Sequence, residues 1–317
     1  MTKDNKQQKL SDSTEPAIAY STCYAQPSIQ LLNCDNSELM AKMEDESVDV
    51  ILTDPPYLYL KNQKLERPFD EHKFFEECKR VLTKNGFIVM FGRGTSFYRR
   101  NTILADLGFN FKEEIVWEKS YSTSPFMALS RIHETVSIFT KGKGTINRLK
   151  VPYMEMRSHD LDSVIDDVKR MRSILKNTKS LDAVLAFLEN NKMERVDYGK
   201  GGATLNGVMK PDRCASVLAS IKDGMNEKSI IKQGSDHYSA IHPTQKPVRL
   251  LERLLALVIP EDKDLKDIIV ADFFGGSFST MEAVYNMGMQ GIACEIDKEY
   301  FEAGKERIEK LPPRQTI

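Results

Sequence analysis

Residues 51–57 read ILTDPPY, and the last four hold the most suggestive chemistry in the chain. Asp54 offers a carboxylate; Pro55 and Pro56 offer carbonyls whose direction is narrowed by their fixed φ, and they contribute no N–H donors. Such a turn accepts hydrogen bonds. An exocyclic amino group on a nucleobase is the matching substrate, because the Asp54 carboxylate and the Pro55 carbonyl can take its two N–H bonds. Acceptors placed off the ring plane favour a pyramidal nitrogen and localise its lone pair, so a poor nucleophile is activated without a strong base. Tyr57 can lie flat against the extruded base, a contact worth roughly 1–3 kcal/mol. A plain turn after a buried strand would use the same four letters, so DPPY gains its force from what accompanies it.

A group of this kind belongs at the carboxyl edge of a strand, where open α/β sheets bind ligands. Short β-branched and aromatic runs recur at 28–35, 48–54, 86–92, 111–119 and 134–142, with helix-compatible segments such as 70–86 between several of them. This alternation predicts a mostly parallel sheet covered by helices. The pattern resumes after 236 with an amphipathic helix over 246–260, Pro247 in its first turn, and then a strand over 267–274. A helix over 279–288, a strand over 291–297 and a final helix over 298–311 complete it.

The C-terminal βαβ unit has the make-up of a nucleoside site. Its first strand ends at Asp272, its turn holds Gly275 and Gly276, and Glu295 ends the next strand, where a carboxylate can accept both ribose hydroxyls. GxGxxG is absent, which argues against a dinucleotide. Such a unit commonly opens a nucleotide-binding chain, whereas here it closes one, so the order is expected to be circularly permuted. In HPTQKP (242–247), Thr244 and Lys246 put a hydroxyl and an ammonium just before a helix, which makes an anion site helped by the free N–H groups of the first turn.

The 317 residues sum to a net charge of −1 with 41% hydrophobic residues, a soluble globular composition with no general attraction to a polyanion. Any basic face must be local. Residues 141–235 supply one, with 18 Lys and Arg against 12 Asp and Glu. There Leu161, Val164, Val168, Met171 and Leu175 keep a helical period, a second helix is predicted over 181–188, and 198–207 reads as a loop. Composition alone allows either a solvated helical insertion or a DNA-contacting module. Residues 1–20 form a polar tail, and no signal-like or membrane-spanning run appears, so a cytoplasmic protein is expected. Five cysteines at 23, 34, 78, 214 and 294 lack ligand or disulfide spacing, so they are read as packing thiols and no metal is assigned.

These stretches together resemble the β-group DNA amino-methyltransferases, which use S-adenosylmethionine to methylate adenine N6 or cytosine N4. The resemblance covers about 28–142 and 236–305 and rests on NCD (33–35), ESVDVILTDPPY (46–57), KRVLTKNGFIVMFG (79–92), EEIVWEKS (113–120), RIHETVSIFTKG (131–142) and HPTQKPVRLLERLL (242–255). It implies a Rossmann-like class I methyltransferase fold with a mostly parallel seven-stranded sheet in permuted order. The implied division is a catalytic half at 21–142, a target-recognition insert at 143–235 and a cofactor-binding half at 236–317. Asp54, Pro55, Pro56 and Tyr57 would be catalytic. Asp35 would meet the cofactor adenine, and Thr244 and Lys246 its methionine carboxylate. Asp272, Phe274, Gly276 and Ser277 align with the family's cofactor turn D-P-F-x-G-S-G-T, and Glu295 follows it. Phe273 replaces the proline of that turn and Phe278 its second glycine, a ring expected to narrow the pocket.

Double-stranded DNA is the implied partner, with a homodimer and a cognate restriction endonuclease as further expectations, and with a nucleoid-associated location. DPPY is associated in that family with adenine N6, and cytosine N4 is the alternative. A protein glutamine methylase would use a related N-P-P-Y, but its motifs run in the other order and it lacks HPTQKP. A non-catalytic DNA-binding protein is the reading from another class. His133, His237 and His242 are given no proton-transfer role, because the chemistry requires none.

Overall fold

Every residue of the segment Val48–Thr53 that leads into DPPY is buried, as befits a strand covered on both faces. The computed structural model describes residues 28–58, 66–119, 128–158, 160–174, 182–184, 186, 190, 213–235 and 241–313. The first half contains β1 (Ile29–Leu32), α1 (Asn36–Met40), β2 (Val48–Thr53), α2 (Glu71–Val81), β3 (Leu82–Gly92), α3 (Gly94–Asp106), β4 (Asn110–Glu118) and β5 (His133–Thr140). Then come β6 (Lys150–Val151), α4 (Tyr153–Met156), α5 (Leu161–Ile174), α6 (Arg213–Asp223), β7 (Met225–Asn226) and β8 (Ile230–Lys232). The last part holds α7 (Val248–Val258), β9 (Ile269–Asp272), α8 (Ser279–Met287), β10 (Gln290–Cys294) and α9 (Lys298–Glu309).

The main sheet has the order β1-β10-β9-β2-β3-β5-β4-β8. Five neighbouring strands, from β1 to β3, run parallel, and β5 is antiparallel to both of its neighbours. The α/β architecture and permuted order therefore stand as expected. The difference is an eighth strand: β8 adds to β4 in parallel, with Val116 opposite Ile230. Only Ile231 of its three residues is buried, and so short a run carries no period-two signal.

Side chains alternate between two cores, as the pleat requires. On one face Val50, Leu52, Val89 and Phe91 pack with Leu250, Leu254 and Leu257 of α7 and with Met281 and Val284 of α8. On the other, Ile51, Ile88 and Met90 pack with Leu39, Met40, Phe74, Phe75 and Cys78. α2 begins where the Asp70 carboxylate accepts the Lys73 N–H at 3.0 Å. It stops at Val81, short of the expected 86, because Leu82 already pairs with Val48 of β2. Among the described residues three ion pairs join the basic segment to α7: Arg249 to Glu155 at 2.8 Å, and the buried Arg253 to Glu227 at 2.6 Å and to Glu155 at 3.7 Å. α5 bears out a helix over 161–174, while Leu175, half of 181–188, all of 198–207 and His237 lie outside the described residues.

Candidate active site

The carboxyl ends of β1, β10, β9 and β2 lie side by side, since Val50 faces Val270, Ala293 faces Asp272 and Leu32 faces Cys294. From β9 the chain winds one way and from β2 the other, so the gap between them is the switch point at which open sheets bind ligands. A hydrogen bond spans it: Thr53 Oγ1 donates to Asp272 Oδ1 at 3.1 Å, and the Phe274 N–H donates to the same oxygen at 3.1 Å. Burial pushes the Asp272 carboxyl up to about 6, against the opposing hydrogen bonds from Thr280, Phe274 and Thr53.

Asp54 follows Thr53, and its Oδ2 accepts from Lys246 Nζ. The same ammonium reaches Glu134 Oε2 at 3.4 Å and the Thr244 carbonyl at 3.3 Å, and lies 4.9 Å from the centre of the Phe91 ring. Burial alone would lower the Lys246 pKa; the Asp54 and Glu134 carboxylates outweigh it and hold it above the usual lysine range. Glu134 also pairs with Lys119 and accepts from the Tyr57 hydroxyl at 3.4 Å. The other oxygen of Asp54, Oδ1, is buried and has no hydrogen-bond partner among the described residues. A buried acceptor left open costs about 1–3 kcal/mol, which marks it as a place for an incoming donor.

The prolines are held from behind. Arg100 of α3, fully buried, donates through Nη1 to the Pro55 carbonyl at 3.3 Å and through Nη2 to the Pro56 carbonyl. Its Nε donates to Glu71 at 2.9 Å, and its guanidinium lies 5.3 Å from the centre of the Phe69 ring.

In the cofactor turn, Gly276 has φ +52°, and a Cβ there would stand 3.6 Å from the His242 ring. HPTQKP thus packs beside this turn at ordinary contact distance, and it is the left-handed backbone at 276 that favours glycine. Glu295 accepts from the Gly276 N–H and the Asp297 N–H, each at 2.8 Å. Two of its roughly four lone-pair positions stay available for hydroxyl donors. Asp35 caps α1 through Oδ1, which accepts from Ser37 N at 2.9 Å, and Asn33 ties this edge to the Glu295 carbonyl at 2.7 Å. Thr244 is exposed, with its hydroxyl 3.1 Å from His242 Nδ1, and Ser277 Oγ meets Ser279 Oγ at 2.9 Å.

The two unexpected phenylalanines point into the cores. Phe273 packs 5.9 Å from Phe74 on one face. Phe278, at φ +55°, packs 5.9 Å from Phe301 on the other, in space left by Gly275 and Gly304. The expected narrowing by the Phe278 ring therefore does not occur, because the left-handed backbone turns the ring under the turn. Phe274 faces Phe69 at 5.0 Å and aligns the cofactor turn with the loop leading into α2.

The DNA methylase family (N6_N4_Mtase) matches residues 48–306, from the first residue of β2 into α9. The chain belongs to this family. The methylase is 27% identical over 301 residues to the type II methyltransferase M.HpaI of Haemophilus parainfluenzae, which covers 88% of this chain and 74% of the relative. Its fold is similar to that of the PvuII DNA methyltransferase (cytosine-N4-specific), with TM-score 0.55, 15% identity, and coverage of 92% of this chain and 89% of the other. M1.HpyAVI is similar at TM-score 0.53 and 18% identity, over 89% of this chain and all of the other.

All four DPPY residues of the methylase and the residues of its cofactor turn meet at one sheet edge. Glu134, Lys119, Arg100 and Glu71 complete the constellation without having been singled out by sequence. The HE pair of RIHETVSIFTKG was a signal for Glu134; Arg99–Arg100 reads as ordinary solvated charge, and nothing in the sequence announces its burial. Among the described residues no helix is long and apolar enough to cross a membrane.

Proposed function

We propose that the methylase transfers a methyl group from S-adenosylmethionine to the N6 amino group of an adenine flipped out of double-stranded DNA. The observation that carries this reading is Asp54 Oδ1, buried and without a partner among the described residues, in the residue that immediately precedes the Pro55 carbonyl. The two acceptors match the two N–H bonds of an aromatic amine and draw its nitrogen toward a pyramidal shape. Lys246 holds Asp54 in orientation through Oδ2, which leaves Oδ1 to the substrate. Tyr57 provides the stacking surface for the extruded base.

The residues present fit the cofactor. Glu295 would take the ribose hydroxyls, Asp35 the adenine, and Gly276 with Ser277 would line the turn beneath the sugar. Thr244 would meet the methionine carboxylate. Lys246 has three N–H directions and three acceptors within 3.4 Å, so its assignment here is to Asp54 and Glu134 rather than to that carboxylate. When bound, the cofactor supplies an electrophilic methyl group at the amino nitrogen. The basic segment 143–235, anchored on α7 through Glu155 and Glu227, is assigned to duplex recognition, with lysines and arginines on phosphates.

Cytosine N4 is the second reading, because the same pair of acceptors serves any exocyclic amino group. Incubation with labelled S-adenosylmethionine and unmethylated genomic DNA, followed by mass spectrometry of the nucleosides, separates the two. N6-methyladenine supports the first reading and N4-methylcytosine the second; well-folded protein that yields neither sinks both.

A further inference from the structure

We propose that Arg100 is a positioning residue for methyl transfer: its guanidinium aims the DPPY carbonyls so that the Pro55 oxygen and Asp54 Oδ1 face one amino group together. The assignment rests on the methyl-transfer reading given above. Two consecutive prolines have no N–H groups, so the turn cannot be pinned through donors of its own at 55 and 56. What remains to be gripped are its acceptors, and Arg100 grips both of them, through Nη1 at 3.3 Å on Pro55 and through Nη2 on Pro56. The longer bond to Pro55 leaves the second lone pair of that oxygen for the substrate.

A planar fork can span two successive carbonyls, which a lysine ammonium cannot do with fixed geometry. Glu71 completes the arrangement. It accepts from Arg100 Nε at 2.9 Å and from Arg99 at 2.6 and 2.8 Å, and so fixes the rotation of the fork. Burial alone would raise the Glu71 carboxyl; Arg99 and Arg100 outweigh it and hold it below the usual range. On its flat face the guanidinium meets Phe69, whose ring continues to Phe274 of the cofactor turn at 5.0 Å. One side chain therefore connects the base-accepting turn to the wall of the cofactor site. A buried cation with its counter-ion is no better for stability than a well-packed apolar pair, so fold alone does not explain its presence.

The test compares the wild-type enzyme with Arg100→Lys and Arg100→Met in steady-state methyl transfer to unmethylated duplex DNA. Thermal unfolding and sinefungin affinity are measured on the same samples. R100M is expected to lose about 100-fold or more in kcat, the scale of an ångström-sized misplacement. R100K should fall between it and wild type, while sinefungin affinity and the KM for S-adenosylmethionine stay within about twofold of wild type. A folded R100M with wild-type kcat overturns the assignment. So does a loss that merely follows thermal stability, or failure of both variants to fold, because either makes Arg100 a folding residue. If the wild type itself transfers no methyl group, the methyl-transfer reading falls first; if it does and R100M matches it, only Arg100 falls.

Discussion

Lys246 Nζ and Asp54 Oδ2 form an ion pair across 192 residues of sequence, joining the loop before α7 to the turn after β2. The pair brings the second half of the chain onto the DPPY turn of the first. With 8% of its side chain exposed, Lys246 stands between two carboxylates, Asp54 and Glu134, that would otherwise face each other.

Replacing that ammonium with an isosteric apolar chain should therefore be costly. Lys246→Met leaves Asp54 without its cation and Glu134 with Lys119 alone, and breaking one side of a buried pair typically costs about 3–5 kcal/mol. Urea denaturation would measure the loss; a change under about 1 kcal/mol would show that water replaces the ammonium freely.

Asp54→Ala separates catalysis from binding. The loss of both acceptor oxygens should reduce methyl transfer by at least about 100-fold, the scale of a lost preorganised hydrogen-bonding group. Duplex affinity should stay near wild type in a fluorescence anisotropy titration. Full activity in the alanine variant would remove Asp54 from the reaction.

Asp272 makes stability depend on pH in a direction opposite to most carboxylates. Its folded pKa of about 6 lies above the ordinary aspartate value of 3.8, so between these values the folded protein holds a proton that the unfolded chain has released. Stability from this proton is complete below about pH 4 and is lost as pH rises through 6, a change of about 3 kcal/mol. The difference in unfolding free energy between wild type and Asp272→Asn should slope downward by that amount from pH 4 to 7. Parallel curves would contradict the assignment.

Phe278→Gly restores the residue usual in the family, and it should nevertheless destabilise this methylase. Relief of the left-handed backbone returns about 1–2 kcal/mol, while emptying the space of a buried phenylalanine costs about 3–5 kcal/mol. A net loss of about 1–4 kcal/mol in chemical denaturation is expected, and a more stable variant would mean that Gly275, Gly304 and Phe301 close the gap.

The α/β architecture, the permuted order and the placement of DPPY after a strand were legible because period, glycines and prolines act locally. Asp54 and Tyr57 on one side of the switch point and Asp272, Gly276 and Glu295 on the other were readable for the same reason. β8 was not, since three residues cannot display a period. The direction of the Phe278 ring was not either, because it depends on the absence of a Cβ at Gly275 and Gly304.

From the sequence alone came the acceptor-rich turn, the nucleoside-type βαβ unit and their reversed order, all properties of residues close together in the chain. The tertiary structure decided the partners of the long charged side chains. Lys246 can reach several ångströms in many directions, and only the convergence of β2, β5 and the loop before α7 sets it on Asp54 and Glu134. Arg100 belongs to solvent or to the core depending on whether buried carbonyls lie within reach, and those carbonyls sit more than forty residues away.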